Sequence, residues 1–110
     1  MSSNIGFRRI ARAFLDGKSA SLKNDISTGA TLLYHGNLIA ERRADGSVWA
    51  TLAGWNTVST RARFNALAGL LDVGWRVYTR DWDCYLWDYR KPDVKGVELG
   101  SREWTRLYPM

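Results

Sequence analysis

The 110-residue sequence has only one cysteine, Cys84, and only one histidine, His35. A single cysteine excludes a disulfide within the chain and any zinc site that needs two thiolates. A Cys-His pair or a serine triad would have to use His35, which stands before Gly36-Asn37 in a turn sequence. Cys84 is interpreted as a small core residue. His35 is interpreted as a turn residue whose ring bonds the local backbone, with a polar ligand or partner contact as the alternative.

Long apolar runs are also missing. The charge-free stretches are interrupted by Gly, Asn, Ser or Thr, and none approaches the roughly 20 apolar residues of a membrane-spanning helix. The first 15 residues mix arginines with apolar residues, unlike a secretory signal, in which the charges precede an apolar block. We therefore expect a cytoplasmic protein with no membrane partner.

Motifs that carry catalysis are scarce. The chain has no glycine-rich phosphate loop and no pair of histidines at helical spacing. Asp81, Asp83 and Asp88 lie close together in sequence, as a paired-carboxylate hydrolase or a metal site requires. Because Asp81 and Asp83 flank a predicted turn beside Arg80 and Arg90, solvated turn residues or surface ion pairs are favoured instead. We expect no enzyme activity, no metal and no cofactor.

An excess of positive charge is present, and it lies in the first half of the chain. The formal net charge is +5, with 16 Lys and Arg against 11 Asp and Glu. Clustered basic side chains attract nucleic acid or acidic protein surfaces before specific contacts form. The charged candidates for binding a partner or a polyanion are Arg8, Arg9, Arg12, Arg42, Arg43, Arg61 and Arg63.

Apolar residues spaced three and four apart predict two helices, over residues 5–15 and 59–71. Gly17 and Gly74 are the predicted terminators of the first and second helix. Arg61 and Arg63 fall in the first turn of the second helix, where each cation opposes the helix dipole at a cost of about 0.3 to 1 kcal/mol. Two interpretations stay open: these arginines contact a phosphate or an acidic partner, or they are solvated or paired with Glu41 or Asp45.

An apolar period of two predicts short antiparallel strands. The Asp45-Gly46 pair is the strongest hairpin signal. We place strands at residues 22–27, 31–34, 38–43, 48–52, 75–79, 84–89 and 104–108. The predicted fold is a single α+β domain of residues 1–110, in which an antiparallel sheet of about five to six strands packs against the two helices.

Aromatic residues are abundant, with six tryptophans and five tyrosines. Alternation along a predicted strand places Tyr85, Trp87 and Tyr89 on one face. Beside basic side chains, such a face can stack single-stranded bases, at about 1 to 3 kcal/mol per base. The alternatives are that these aromatic side chains pack in the core or that they form a protein interface. Trp55 and Trp82 are predicted to be exposed anchors for a partner.

The middle of the chain carries a motif: a His-Gly-Asn turn, an Ile-Ala strand, a Gly-Trp pair and a threonine-rich cap, followed by a helix that contains Arg and Asn-Ala-Leu. It occupies residues 33–40, 54–57 and 59–67. This region resembles a family of small uncharacterised proteins of bacteriophages and prophages. Phe64 stands where the family has Leu, which an apolar helix face accepts.

The resemblance implies a phage protein acting in the cytoplasm of the host bacterial cell. Small phage proteins of this kind often inhibit or redirect host machinery. The leading hypothesis is a non-enzymatic accessory protein that binds a bacterial nucleic-acid-handling or defence complex, such as a CRISPR effector, a nuclease or RNA polymerase. Direct, weakly specific binding of single-stranded nucleic acid and a structural or assembly role in the virion are the alternatives.

Overall fold

The structure is a computed structural model, and it describes residues 4–91 and 93–109. The elements in chain order are α1 (Asn4–Leu15), β1 (Ser19–Leu22), β2 (Asp25–Thr28), β3 (Thr31–Tyr34), β4 (Asn37–Arg42), β5 (Val48–Thr51), α2 (Val58–Leu70), β6 (Trp75–Arg80), β7 (Asp83–Asp88), β8 (Val97–Glu98) and β9 (Trp104–Tyr108). The predicted α+β class is confirmed. Of the helices in the described ranges, neither is long and apolar enough to cross a membrane.

Two antiparallel sheets make up the β part. The larger sheet has six strands in the order β1-β2-β3-β4-β5-β9, so the last strand of the chain returns to pair with β5. The smaller sheet has the order β6-β7-β8. The prediction of five to six strands is right for the larger sheet. The smaller sheet was not predicted as a separate sheet. Its strands follow α2 in the sequence, and α2 separates them from β5.

The predicted single strand over residues 22–27 is wrong. Leu22 ends β1, Asp25 begins β2, and the two residues are partners across a turn at Lys23-Asn24. Lys23 adopts a φ of 54°, a conformation usually left to Gly or Asn. Because the turn contains neither Gly nor Pro, the sequence offered only a weak signal for it.

The end of α1 is formed as the sequence predicts. Gly17 has a φ of 73°, its amide donates to the Phe14 carbonyl, and the Lys18 amide donates to the Ala13 carbonyl. This pair of bonds is the Schellman arrangement, which satisfies the last free carbonyls of a helix. The guanidinium of Arg42 adds bonds to the carbonyls of Phe14 and Gly29.

The core lies between the helices and the inner face of the larger sheet. α1 packs on β1, β2 and β3, and α2 packs between α1 and β6. Buried apolar side chains come from both helices and both sheets, and they include Phe7, Ile10, Phe14, Leu32, Leu52, Phe64, Leu67 and Leu107. Cys84 is buried among them, and burial raises the pKa of its thiol. Its interpretation as a core residue is supported.

Asn65 of α2 hydrogen-bonds the backbone of the smaller sheet. Asn65 donates from Nδ2 to the Val77 carbonyl (3.1 Å) and accepts at Oδ1 from the Val77 amide (2.8 Å). The helix itself ends at Leu70, with Asp72 at a φ of 56° just beyond it, so Gly74 is not the terminator. Gly74 is buried against Asp88, where a side chain would collide with the carboxylate.

Candidate functional site

The β3–β4 turn forms one wall of a surface pocket. His35 and Gly36 have φ values of 51° and 76°, which makes this two-residue connection a type I′ turn that matches the twist of the hairpin. The His35 amide donates to the Asn24 carbonyl (3.0 Å), and its carbonyl accepts from Nδ2 of Asn37 (3.4 Å). The exposed His35 ring packs against the Tyr34 ring, with 4.4 Å between centroids. These hydrogen bonds come from the His35 backbone and not from its ring, which differs from the prediction.

The loop between β5 and α2 forms the second wall. Trp55 is 55% exposed, and its amide is fixed by the Leu52 carbonyl (2.8 Å). Thr57 is the N-cap of α2, and its Oγ1 accepts from the Thr60 amide (3.3 Å). The predicted threonine cap is confirmed at this position, and it fixes the direction in which the loop enters the helix.

Between these walls lies a pocket of about 280 Å³. Buried Ile39 and Leu52 supply its apolar part, and the hydroxyl of Tyr34 donates to Oγ of Ser59 (3.2 Å) across it. The remaining lining residues are His35, Asn37, Trp55, Thr57 and Thr60. Apart from Leu52, all the lining residues fall inside residues 33–40, 54–57 and 59–67, which carry the resemblance. The loops of this motif therefore converge on one concave site, a juxtaposition that the sequence did not show.

Arg63 lies behind the pocket and is not presented to solvent. Its side chain is 9% exposed, and its Nε and Nη2 donate to both carboxylate oxygens of Asp25, at 2.6 and 3.0 Å. The guanidinium also lies 3.7 Å from the Tyr34 ring centroid and donates to the Ser59 carbonyl (3.1 Å). Arg63 is thus a positioning residue for the Tyr34 ring and for the backbone of Ser59, two residues that line the pocket. Its partner is Asp25 and not Glu41 or Asp45.

Arg61 is half-buried and organises the loop beside the pocket. Its Nη1 donates to the backbone carbonyl (3.0 Å) and to Oδ1 (2.6 Å) of Asn56. These bonds offset the unfavourable position of a cation in the first turn of a helix. Nδ2 of Asn56 in turn donates to the Trp82 carbonyl (3.4 Å). Asn56 therefore links the loop that carries Trp55 to the turn that carries Trp82.

Trp82 is the most exposed large side chain at this site. It is 96% exposed and lies at the tip of the β6–β7 hairpin, where Asp81 and Trp82 have φ values of 52° and 73°. The exposure predicted for Trp55 and Trp82 is found in the structure. We call the pocket together with Trp55, Asn56 and Trp82 the tryptophan end.

The other predicted arginines lie elsewhere. Arg8, Arg9 and Arg12 are exposed along α1. Arg42 is half-buried and caps α1, as described above. Arg43 is exposed, stacks over the Trp49 ring at 3.9 Å, and pairs with Glu41 at 2.8 Å. The exposed arginines on α1 therefore remain candidates for attracting a polyanion or an acidic surface.

The aromatic stripe faces outward from the smaller sheet. Tyr78, Tyr85 and Trp87 share one face, whereas Val77 and Cys84 on the opposite face are buried. We call these three rings the aromatic face. Tyr78 stacks on Tyr85, with centroids 5.5 Å apart, and meets Trp87 at a right angle, 6.5 Å apart. Tyr89 follows β7 and is 43% exposed, with the Arg76 guanidinium 4.8 Å from its ring centroid.

The three neighbouring aspartates do not come together as a site. Asp81 and Asp83 are exposed at the β6–β7 turn, whereas Asp88 is buried and accepts from the Arg90 amide (3.0 Å). Within residues 4–91 and 93–109, no group of three or more His, Cys, Asp or Glu side chains is arranged to hold a metal ion.

A model of the Kyanoviridae Gp96 protein family matches residues 11–106, which extend from α1 into β9. The chain belongs to this family. Since the Gp96 family is a family of phage proteins, the phage origin implied by the resemblance is confirmed. The match covers the whole tryptophan end and the aromatic face. No curated protein and no solved structure shows significant similarity to this Gp96-family chain.

Proposed function

We propose that this Gp96-family protein is a phage accessory protein that binds a host protein of a nucleic-acid-handling or defence complex through its tryptophan end, and thereby inhibits or redirects that complex. One observation carries the proposal: exposed Trp55 lines a pocket with an apolar floor, and a hydrogen bond from the adjacent Asn56 links its loop to the turn that carries exposed Trp82. Tryptophan is among the residues that dominate the energy of protein interfaces.

The exposed indole of Trp82 is a source of binding free energy. An indole offers about 150 to 250 Å² for burial, which at about 25 cal/mol per Å² corresponds to about 4 to 6 kcal/mol. In the free protein almost none of this is gained, because Trp82 is 96% exposed. A partner that covers the ring gains the part of this free energy that exceeds the costs of association, and the half-exposed Trp55 adds to the same interface.

The loops are also organised before any partner arrives. Arg61 fixes Asn56, Asn56 contacts the Trp82 turn, and Arg63 holds Tyr34 and the start of α2. Loops that are already ordered lose less conformational entropy on binding. This arrangement favours a specific protein contact over a weak, adaptable one.

The charge distribution supports an acidic surface on the partner. The net charge is +5, and Arg8, Arg9 and Arg12 are exposed on α1. A basic protein is steered toward acidic patches, which raises the association rate more than the final affinity. Steering by these arginines and anchoring by the two tryptophans are separate contributions.

The test is capture of partners from a lysate of host bacteria by the tagged protein, with and without nuclease, read by mass spectrometry. We expect a stoichiometric host complex that survives nuclease and is lost with the variant Trp55→Ala/Trp82→Gly. Tyr108→Ala is the matched control, because Tyr108 is also an exposed aromatic residue, 50% exposed, on β9. Capture that the double variant retains in full would overturn the proposal.

The two alternatives give different results in the same experiment. Direct binding of single-stranded nucleic acid predicts recovery of nucleic acid that nuclease abolishes, with affinity that falls steeply as salt rises. A virion component predicts co-purification with phage particles at fixed stoichiometry. Either outcome in place of a nuclease-resistant host complex would contradict the proposed function.

A further inference from the structure

The pocket of the tryptophan end is built for a neutral occupant. Buried Ile39 and Leu52 form its apolar floor, and none of the described residues that line it is Lys, Arg, Asp or Glu. The guanidinium groups of Arg61 and Arg63, beside and behind the pocket, already donate to oxygen atoms of neighbouring residues. A charged group buried here would have no partner of opposite charge, which is costly.

The volume of the pocket corresponds to one substituted aromatic ring. An engineered apolar cavity of about 150 Å³ is large enough to bind benzene. The pocket measures about 280 Å³, so it has space for one ring and a polar substituent, but not for two rings. A branched aliphatic side chain is smaller than benzene and would leave much of the surrounding wall without contacts.

The walls of the pocket are themselves partly aromatic. Tyr34 and His35 lie with their ring centroids 4.4 Å apart, and the half-exposed indole of Trp55 belongs to the opposite wall. Aromatic rings that meet offset or edge to face gain energy beyond the area that they bury. These walls favour an aromatic occupant over an aliphatic one of equal area.

A cluster of four hydroxyl groups lies on one side of the pocket. Three contacts join them: Tyr34 to Ser59 (3.2 Å), Ser59 to Thr57 (3.4 Å) and Thr57 to Thr60 (2.9 Å). Each hydroxyl carries one proton, and each contact uses one. At least one O–H is therefore left over within the cluster, and it can donate to an acceptor on the occupant.

We propose that the pocket binds the side chain of a tyrosine of the host partner. The phenol oxygen accepts a hydrogen bond, whereas a phenylalanine ring has no acceptor and a tryptophan indole only donates. A histidine ring or a nucleobase carries polar atoms on more than one side, and the apolar floor would leave some of them unpaired. The inference rests on the proposed function, and it names the partner group that the pocket accepts.

The first test uses the free side chain and needs no host partner. Full-length ¹⁵N-labelled protein is titrated with N-acetyl-tyrosine amide, and the backbone amide and tryptophan indole resonances are followed. The corresponding phenylalanine, tryptophan and leucine amides and the neutral nucleoside uridine are run in parallel.

We expect saturable shifts centred on residues 33–39 and 52–60 with the tyrosine amide, and a Kd on the order of 1 mM for so small a ligand. The other four compounds should bind about fivefold more weakly or less, because none fits both the floor and the free O–H. Absence of saturable shifts, or equal binding of the phenylalanine amide or of uridine, would overturn the proposal.

A variant that fills the pocket tests the location. Ser59→Leu places a branched chain where Oγ meets the Tyr34 hydroxyl, and we expect about tenfold weaker binding of the tyrosine amide, equivalent to about 1.4 kcal/mol. Val58→Leu is the matched control, because Val58 is 75% exposed and does not line the pocket. Equal affinity of the two variants, both with the dispersed spectra of a folded chain, would contradict the assignment.

Capture from the host lysate separates this inference from the proposed function. We expect Ser59→Leu to lose the host complex, as Trp55→Ala/Trp82→Gly does, and Val58→Leu to retain it. If Ser59→Leu captures the complex in full and the tryptophan variant does not, the inference is wrong and the proposed function stands. Capture retained by both would overturn the proposed function itself.

Discussion

Two residues of the tryptophan end adopt a backbone conformation that their side chains disfavour. His35 and Trp82 both have positive φ in type I′ turns, where Asn and Gly are preferred because they relieve contacts with Cβ. For other residues the conformation costs about 1 to 2 kcal/mol. Lys23 and Asp72, outside this site, also have positive φ, so the strain by itself does not mark the binding surface.

Trp82→Gly should raise the stability of the protein and weaken its binding of a partner. The variant places Gly after Asp81, the Asp-Gly sequence that type I′ turns prefer, and we expect about 1 kcal/mol greater stability from relief of the backbone strain. Partner capture should fall. Urea denaturation measures the first effect and pull-down the second.

Trp82→Ala is the matched control for that experiment, since it removes the indole but keeps a Cβ at positive φ. It should lose partner capture without the gain in stability. Equal stability of the Gly and Ala variants would show that the backbone of this turn is not strained.

Replacing only one member of the buried Arg63–Asp25 pair should lower the free energy of unfolding. Arg63→Met leaves the Asp25 carboxylate buried without its cation, and such losses cost about 3 to 5 kcal/mol. Arg63→Met combined with Asp25→Leu should cost less than the two single changes added together. Urea denaturation of the four proteins gives the coupling energy, and additive effects would refute the pairing.

At the scale of elements, Asn65 supplies hydrogen bonds that a neighbouring strand would otherwise make to β6. β6 is an edge strand, and the Asn65 amide group bonds both the N–H and the C=O of Val77 from α2. Unpaired edges invite pairing with other chains. A helix side chain thus both attaches the smaller sheet and covers its edge.

Removing that amide should loosen the smaller sheet. We expect Asn65→Ala to cost about 1 to 3 kcal/mol, because two half-buried backbone groups lose their partners, and to promote self-association. Asn65→Asp keeps the acceptor for the Val77 amide and should cost less. Thermal melting and size-exclusion chromatography report the two effects, and an alanine variant as stable and monodisperse as the original would refute this role.

The stability of the β4–β5 hairpin should depend on pH through Asp45. The side chain and backbone of Ser47 donate hydrogen bonds to the Asp45 carboxylate and hold its pKa below the usual 3.8. A lowered pKa stabilises the fold above the unfolded pKa, and this contribution is lost as pH falls through the folded value.

The advantage of the original protein over Asp45→Asn should therefore shrink as the pH drops from about 5 to 2. Denaturation across this range provides the measurement. Because Asn does not titrate, a constant difference between the two proteins would contradict the role of the carboxylate.

Local signals predicted most of the elements. Helical spacing placed both helices within a residue of their ends, Asp45-Gly46 marked a true hairpin, and β9 lies at Trp104–Tyr108 as expected. The turn at Lys23-Asn24 was missed because it has no Gly or Pro, and its positive φ falls on Lys23, a residue that seldom adopts it. The bond from Arg63 to Asp25 and the convergence of the pocket loops depend on tertiary packing between distant segments, which no local pattern contains.

At the scale of the whole molecule, charge and aromatic surface are distributed differently along the chain. The first half carries the net positive charge, with Arg8, Arg9 and Arg12 exposed on α1. The second half carries the aromatic face within a balanced set of charges. In the proposed function, the α1 arginines attract a partner and the tryptophan end recognises it at short range, so the two contributions come from different residues.

Reversal of the three arginines on α1 to Glu tests this division. It removes six units from a net charge of +5, so the association rate with an acidic host partner should fall at least tenfold at low salt, and less at high salt. The dissociation rate should change little. Stopped-flow or surface-based kinetics at two ionic strengths provide the measurement, and a change confined to dissociation would refute steering by α1.

The return of β9 to the larger sheet has a consequence for biosynthesis. β5 and β9 are adjacent in space, but α2 and the whole smaller sheet are translated between them. While the ribosome makes those elements, the outer edge of β5 has no neighbour and is open to wrong pairing. A stop codon placed before Trp104 leaves that edge permanently open, so such truncated chains are expected to aggregate or be degraded even though every core residue of both helices is present.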